Sequence, residues 1–331
     1  MPHTRFCDLL GVEHPIVSAP MGERWAGGTL AAAVSDAGGF GLIGGQDSEG
    51  GPAQEAWLRE QIRLARDRTD RPFGVGFIVP FLTAFQQADL PRIALEEGVA
   101  ALAFSFGDAT PYVAAAHAAG VTVLVQVQTV AQARRAVAAG ADVVVAQGTD
   151  AGGHCGEIGT LALVPAVVDA VGDVPVLAAG GIADGRGLAA ALMLGAEGVW
   201  MGTRFVASDE WDGGEWRSAA VVAAGTEDTV RTLAYDRVWD DPFPDGIAMR
   251  VVRNVFTGEW HGREAEVVAN RIELRAELKA AQAVGDAELG PVLAGQVAGL
   301  IQAVEPAGTI VRRIVAEAEA LLRGRSSQVL S

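Results

Sequence analysis

The residue with the clearest chemical potential in this 331-residue chain is His154, inside the run Asp150-Ala151-Gly152-Gly153-His154-Cys155-Gly156. An imidazole titrates near neutrality and can take or give a proton at physiological pH. Gly152, Gly153 and Gly156 let the backbone fold tightly around a flat ligand and present that ring to it. The bland alternative is a histidine that only bonds a loop carbonyl. Cys155 is a nucleophile by type, but its base would have to be the adjacent His154, and sequence neighbours seldom face one another; a small buried side chain is the better reading. Asp108 and Asp150 suit loop or helix-cap roles more than acid–base work. His3, His14, His117 and His261 stand at ordinary positions. The second constellation is glycine: Gly180-Gly181, followed by Asp184-Gly185, and then Gly202-Thr203. Backbone without side chains lets N–H groups approach an anion, and a helix N-terminus adds a favourable dipole. With no Walker lysine sequence and no second Cys or His pair at zinc spacing, metal-free chemistry beside an organic phosphate is the consistent reading.

The elements that must position these groups follow one beat. Apolar runs lie at Ile16–Ser18, Phe40–Ile43, Phe73–Val79, Val99–Phe106, Val121–Val127, Asp142–Ala146, Val174–Ala178 and Gly198–Met201. Helix candidates alternate with them at Thr29–Ala37, Pro52–Arg68, Thr83–Glu96, Pro111–Ala119, Val130–Ala139, Leu161–Val171 and Gly187–Leu194, several ending in the glycine that a left-handed helix terminus favours. The runs are apolar on nearly every residue, as expected of parallel strands covered by helices on one side and packed inside a barrel on the other. Eight such units predict an α/β fold, a (β/α)₈ TIM barrel over residues 1–207. The rival, an open doubly wound sheet, lacks its usual G-x-G-x-x-G after the first strand. In a barrel, function gathers where strands end, and adjacent glycine loops after the seventh and eighth strands are the recurrent phosphate site.

Residues 208–305 break the beat and carry Trp211, Trp216, Trp239 and Trp260; they read as a smaller, mainly helical cap or substrate region, with helices at Arg263–Val284 and Gly290–Gln302. A helix over Thr309–Arg323 within 306–331 returns toward the barrel, before a loose tail at Arg325–Ser331. Those tryptophans suit an interface as well as a cap, so a homodimer is allowed.

Composition narrows the classes. Half the chain is hydrophobic, which excludes disorder, and two cysteines exclude a disulfide scaffold. A formal charge of −16 disfavours nucleic acid, whose phosphates need clustered Lys and Arg. No apolar run reaches the roughly 20 residues of a membrane span or forms a signal peptide, so a cytoplasmic protein with no membrane partner is expected.

Taken together, Ala19-Pro20-Met21-Gly22, Ala37-Gly38-Gly39-Phe40-Gly41, Gln147 to His154, Ala178 to Gly185 and Met201-Gly202-Thr203-Arg204-Phe205 give a chain that resembles the nitronate monooxygenases, formerly 2-nitropropane dioxygenases, over roughly residues 5–207. The resemblance implies FMN bound without a covalent link. Met21 and Gly22 would lie along the ring, Gln126, Gln147 and Gly152 near its polar edge, and Gly180, Gly181, Gly202 and Thr203, beside Met201, would hold the phosphate. His154 matches the active-site histidine, implied to take the α-proton of a nitroalkane or to steady a nitronate. Electrons then pass to FMN, and O₂ completes the conversion to a carbonyl compound and nitrite. Many relatives carry Asn on strand three where this chain has Gly76. The alternatives are an FMN-dependent enoyl-acyl-carrier-protein reductase using NAD(P)H, which shares the barrel and the Gly-Gly-His element, and a flavin-storing protein without catalysis.

Overall fold

The computed structural model describes residues 2–48 and 50–329. Eight parallel strands form the barrel: β1 (Ile16–Ser18), β2 (Gly41–Gly44), β3 (Phe73–Ile78), β4 (Ala101–Ser105), β5 (Thr122–Val127), β6 (Val143–Gln147), β8 (Val176–Ala179) and β9 (Gly198–Met201). Their order is β1-β9-β8-β6-β5-β4-β3-β2, and a parallel bridge between Val17 and Phe40 closes β2 back onto β1. Side chains alternate across each strand. One parity (Val17, Leu42, Ala103, Leu124, Val145, Leu177, Trp200) fills the lumen, and the other (Ile16, Ile43, Val75, Leu102, Val123, Val144, Val199) packs under the helices. Phe6 and Leu10 of the helix Arg5–Leu10 plug the lumen from below. That helix is fastened to Glu197, just before β9, by Arg5 and by the Phe6 amide.

Two expected helices take another form. Thr83–Glu96 is split into Val79–Ala84 and Leu90–Glu96, with Gln86 at φ 55° between them. Gly290–Gln302 is not a continuous helix. Its first residues are extended through Pro291 to Gly295, and only the 3₁₀ turn Gln296–Leu300 remains. The expected helix Arg263–Val284 is broken at Asn270 into Glu264–Ala269 and Arg271–Val284.

Residues 208–305 also contain strands the sequence did not announce. After β6 the chain forms β7 (Gly153–Cys155), which leaves the barrel and pairs antiparallel with β11 (Ala248–Val252), itself paired with β10 (Thr229–Thr232). This small sheet and the helices behind it share an apolar cluster of Val230, Tyr235, Met249, Val251, Phe256 and Leu278. The final helix, Ala307–Val329, lies against the barrel helices Gly28–Asp36 and Gly185–Met193, where Glu317 accepts the Gly185 amide at 2.9 Å. It runs on to Val329, so of the tail expected to be loose only Leu330 and Ser331 lie outside the described residues. No helix among the described residues is long and apolar enough to cross a membrane.

Candidate active site

Lumen parity carries Ala19, Gly76, Ser105, Gln126, Gln147, Ala179 and Trp200 to the strands' C-terminal ends, where they floor a cavity of about 950 Å³. That is near the top of the roughly 300–1,000 Å³ range of small-molecule sites, so it has room for a flat cofactor and a second ligand. The residues expected from the sequence to serve catalysis or the cofactor all line this one cavity: Met21, Gly22, Gln126, Gln147, Gly152, His154, Gly180, Gly181, Met201, Gly202 and Thr203.

One corner is bare backbone. Gly180 and Gly181 take left-handed conformations, φ 98° and 74°, which a side chain would strain. At Gly202 a Cβ would meet only Ala19, at 3.6 Å, so the glycine leaves open space rather than making a tight turn. The amides of Gly181, Gly202 and Thr203 have no acceptor among the described residues. Thr203 Oγ1 accepts from the Gly295 amide at 3.0 Å, which leaves its own O–H to donate. Unsatisfied donors around an empty corner suit an anion. Gln126 also lines the cavity, 9 % exposed, and its side-chain amide has no hydrogen-bond partner within the described residues. Gln147 is occupied: its Nε2 donates to the His154 carbonyl at 3.1 Å, and its Oε1 accepts from Gln128 at 3.2 Å. These features fit a planar cofactor with a phosphate at one end.

His154 lies in β7, directly opposite Met249 of β11. Alternation along that strand turns Cys155 to the other face, away from the cavity. There its thiol is fully buried, 3.6 Å from the Thr149 carbonyl, and burial pushes its pKa up. The sequence reading of Cys155 as a packed side chain agrees with this. Asp108, just before the helix Thr110–Ala118, accepts the Thr110 amide at 2.9 Å, and Asp150 accepts the Thr160 amide at 2.8 Å.

The imidazole has partners that the sequence did not point to. Its Nε2 is hydrogen-bonded to Asp236 Oδ1 at 2.7 Å, and its face rests on Phe243. Asp236 stands in the first turn of the helix Ala234–Trp239, whose Tyr235 is buried against Phe256. Asp241, beyond the end of that helix, also lines the cavity; burial, then the charges of Asp236 and Glu23, push its carboxyl up to about 7. Phe106 at the end of β4 holds φ 65°, a strained conformation for a bulky residue, and meets both Phe243 and His154 edge-on. Arg217 completes the wall, its guanidinium over Trp25 and Trp216 at 4.5 and 4.0 Å; burial lowers its pKa to about 10. No local sequence signal marks Asp236, which shares its helix with Arg237.

Gly76 explains the departure on strand three. A Cβ there would lie 2.3 Å from Pro20 Cγ, so in this chain proline occupies the volume a larger residue would need.

Comparison with known proteins agrees with this geometry. The nitronate monooxygenase family profile matches residues 3–317. A nitronate monooxygenase of Neurospora crassa is 37 % identical, over 92 % of this chain and 89 % of its own length. Among solved structures, FabK from Thermotoga maritima superposes with a TM-score of 0.87 at 39 % identity, covering 99 % of this chain and 100 % of that one. A nitroalkane oxidase from Streptomyces ansochromogenes gives 0.78 at 29 % identity, covering 98 % and 99 %. The match spans barrel and cap alike, and by it the chain belongs to the nitronate monooxygenase family of flavin-dependent oxidoreductases.

Proposed function

We propose that this protein holds FMN in the barrel mouth and oxidises alkyl nitronates, or nitroalkanes after removal of their α-proton, to carbonyl compounds and nitrite with O₂, His154 being the base. The observation that carries the reading is the meeting, in one cavity, of an open glycine corner with unsatisfied amides and a single oriented imidazole. Gly180, Gly181, Gly202 and Thr203 would hold the phosphate, Met21 and Gly22 would flank the ring, and Gln126 and Gly152 would meet its polar edge. FMN, when bound, supplies the acceptor for the electrons of the nitronate and returns them to O₂.

The chain's own residues handle the proton. With Nε2–H committed to Asp236, the neutral imidazole keeps Nδ1 as its acceptor. A carbon acid placed against Nδ1 loses its α-proton there, the C–H pair delocalises into the nitro group, and the imidazolium that results is paired with Asp236. The aromatic faces of Phe106 and Phe243 hold water away from the ring.

The test is aerobic turnover of nitroethane and of preformed ethylnitronate with a nitrite assay, on parent and His154→Asn protein. The variant is expected to lose on the order of 10²-fold or more on nitroethane and far less on the nitronate. Equal losses on both would remove the base role; a colourless protein that FMN does not restore would remove the cofactor. The reductase reading is favoured by the likeness to FabK at 39 % identity. Fast flavin bleaching by NADH in the absence of a nitro compound would decide for it.

A further inference from the structure

Asp236 is 5 % exposed and spends only one of its oxygens on His154; the other, Oδ2, is buried without a partner. A carboxylate oxygen left unsatisfied in an apolar wall is costly, on the order of 1–3 kcal/mol. The Asp241 amide donates to the Asp236 carbonyl at 3.2 Å, and one ligand-type atom from each of His154, Asp236 and Asp241 lies within 4.8 Å of the others. Two carboxyl groups at such range do not both ionise freely. The other charges that bear on Asp241 are Asp240 beside it, Glu23 from the loop after β1, and Arg275 from the helix Arg271–Val284. Arg275 is itself turned to the carbonyls of Val238 and Trp239, at 2.7 and 2.8 Å, rather than paired with either aspartate. Three carboxyl groups therefore bear on Asp241, of which Asp240 is paired with Arg271 at 3.2 Å, and the one cation that bears on it, Arg275, is committed elsewhere.

We propose that Asp236 is a positioning residue that fixes His154 as its Nε2–H tautomer, and that Asp241 carries a proton toward the free oxygen of Asp236, so that the aspartate pair presents a single negative charge to the imidazole. The inference uses the base role of His154 only for its kinetic consequence. When the α-proton arrives at Nδ1, no heavy atom has to move: Nε2–H stays on Asp236, whose charge offsets the imidazolium. Loss of the Asp241 proton adds a second negative charge beside the imidazole, and the rate on neutral nitroalkanes changes with that ionisation. Burial and the neighbouring carboxylates set it near neutrality, at about pH 7.

The experiment has two arms. In ¹⁵N-histidine-labelled holoenzyme, the neutral His154 ring of the parent is expected to carry its proton on Nε2, and Asp236→Asn to abolish that preference. Kinetically, Asp236→Asn lowers kcat on nitroethane about 30–1,000-fold with flavin content and the KM for ethylnitronate within threefold of the parent, and Asp241→Asn removes an ionisation near pH 7 from the kcat/KM profile for nitroethane. If Asp236→Asn does not fold, the Asp241→Asn profile and the parent spectrum decide the matter. A parent ring protonated on Nδ1, a profile unchanged by Asp241→Asn, or activity lost to a chelator and restored by a divalent cation each overturns the proposal, the last by making the three residues a metal site. If the parent turns over neither nitro substrate, the functional reading fails while the spectrum still decides the tautomer.

Discussion

The imidazole of His154 lies face to face with the phenyl ring of Phe243, their centroids 3.5 Å apart and their planes 16° from parallel. The stack stops the ring from tilting, and the bond to Asp236 stops it from spinning about its own axis. Phe243 sits between Pro242 and Pro244, whose fixed φ angles stiffen the loop that carries it. If His154 is the base proposed above, Phe243→Ala is expected to lower kcat on nitroethane on the order of 10-fold, through misorientation of the imidazole, while flavin absorbance is unchanged. Rates equal to the parent would mean that the stack does not orient the ring.

Gly202 offers a clean probe of the glycine corner, because its φ of −100° suits any residue and a Cβ there meets nothing closer than 3.6 Å. Gly202→Ala should fold with an unchanged melting temperature and bind FMN at least about 10-fold more weakly, with little change for riboflavin, in a fluorescence titration. Equal weakening for both ligands would place the phosphate elsewhere.

Gly76 sits under the opposite constraint. Gly76→Asn drives its Cβ into Pro20, so chemical denaturation should report a loss of about 1–3 kcal/mol. A variant as stable as the parent would show that Pro20 gives way freely.

Asp241 links stability to pH. Its ordinary value is 3.8 in the unfolded chain and about 7 in the fold, so the native state binds the proton more tightly. Its contribution is complete below about pH 4 and fades as pH rises through about 7, a change on the order of 4 kcal/mol. Asp241→Asn should flatten the curve of unfolding free energy over that window relative to the parent. Parallel curves would show that the carboxyl titrates as an ordinary one.

Cys155 and Cys7 are both buried, and burial raises both thiols. Neither should react with DTNB until the protein unfolds, and Cys155→Ser should leave nitrite production within twofold of the parent.

The barrel was legible because its signals are local. Each strand run is bounded by glycine or a polar turn, and the observed strands begin and end within two residues of the expected runs. Gly180, Gly181, Gly202 and Thr203 announced themselves by composition at two adjacent strand ends. The cap sheet did not, because β7 has only Gly153, His154 and Cys155, with no β-branched pattern, and its partner β11 lies over 90 residues away. Asp236 was invisible for the same reason. What makes it special is Nε2 of a residue 82 positions earlier, and nothing near it in sequence records that. Residues 290–302 misled through their apolar content: they are buried like a helix face, yet Gly295 must send its amide to Thr203, and Gly152 leaves room only for extended chain beside it.

His154 belongs by sequence to a barrel loop and by hydrogen bonding to the sheet that covers the barrel. The cover and the imidazole are thus one mechanical part: whatever peels β11 outward carries His154 away with it. A recombinant that exchanges residues 208–305 between relatives must therefore import residues 150–156 from the same parent, or it will inherit a lid that cannot seat its own histidine.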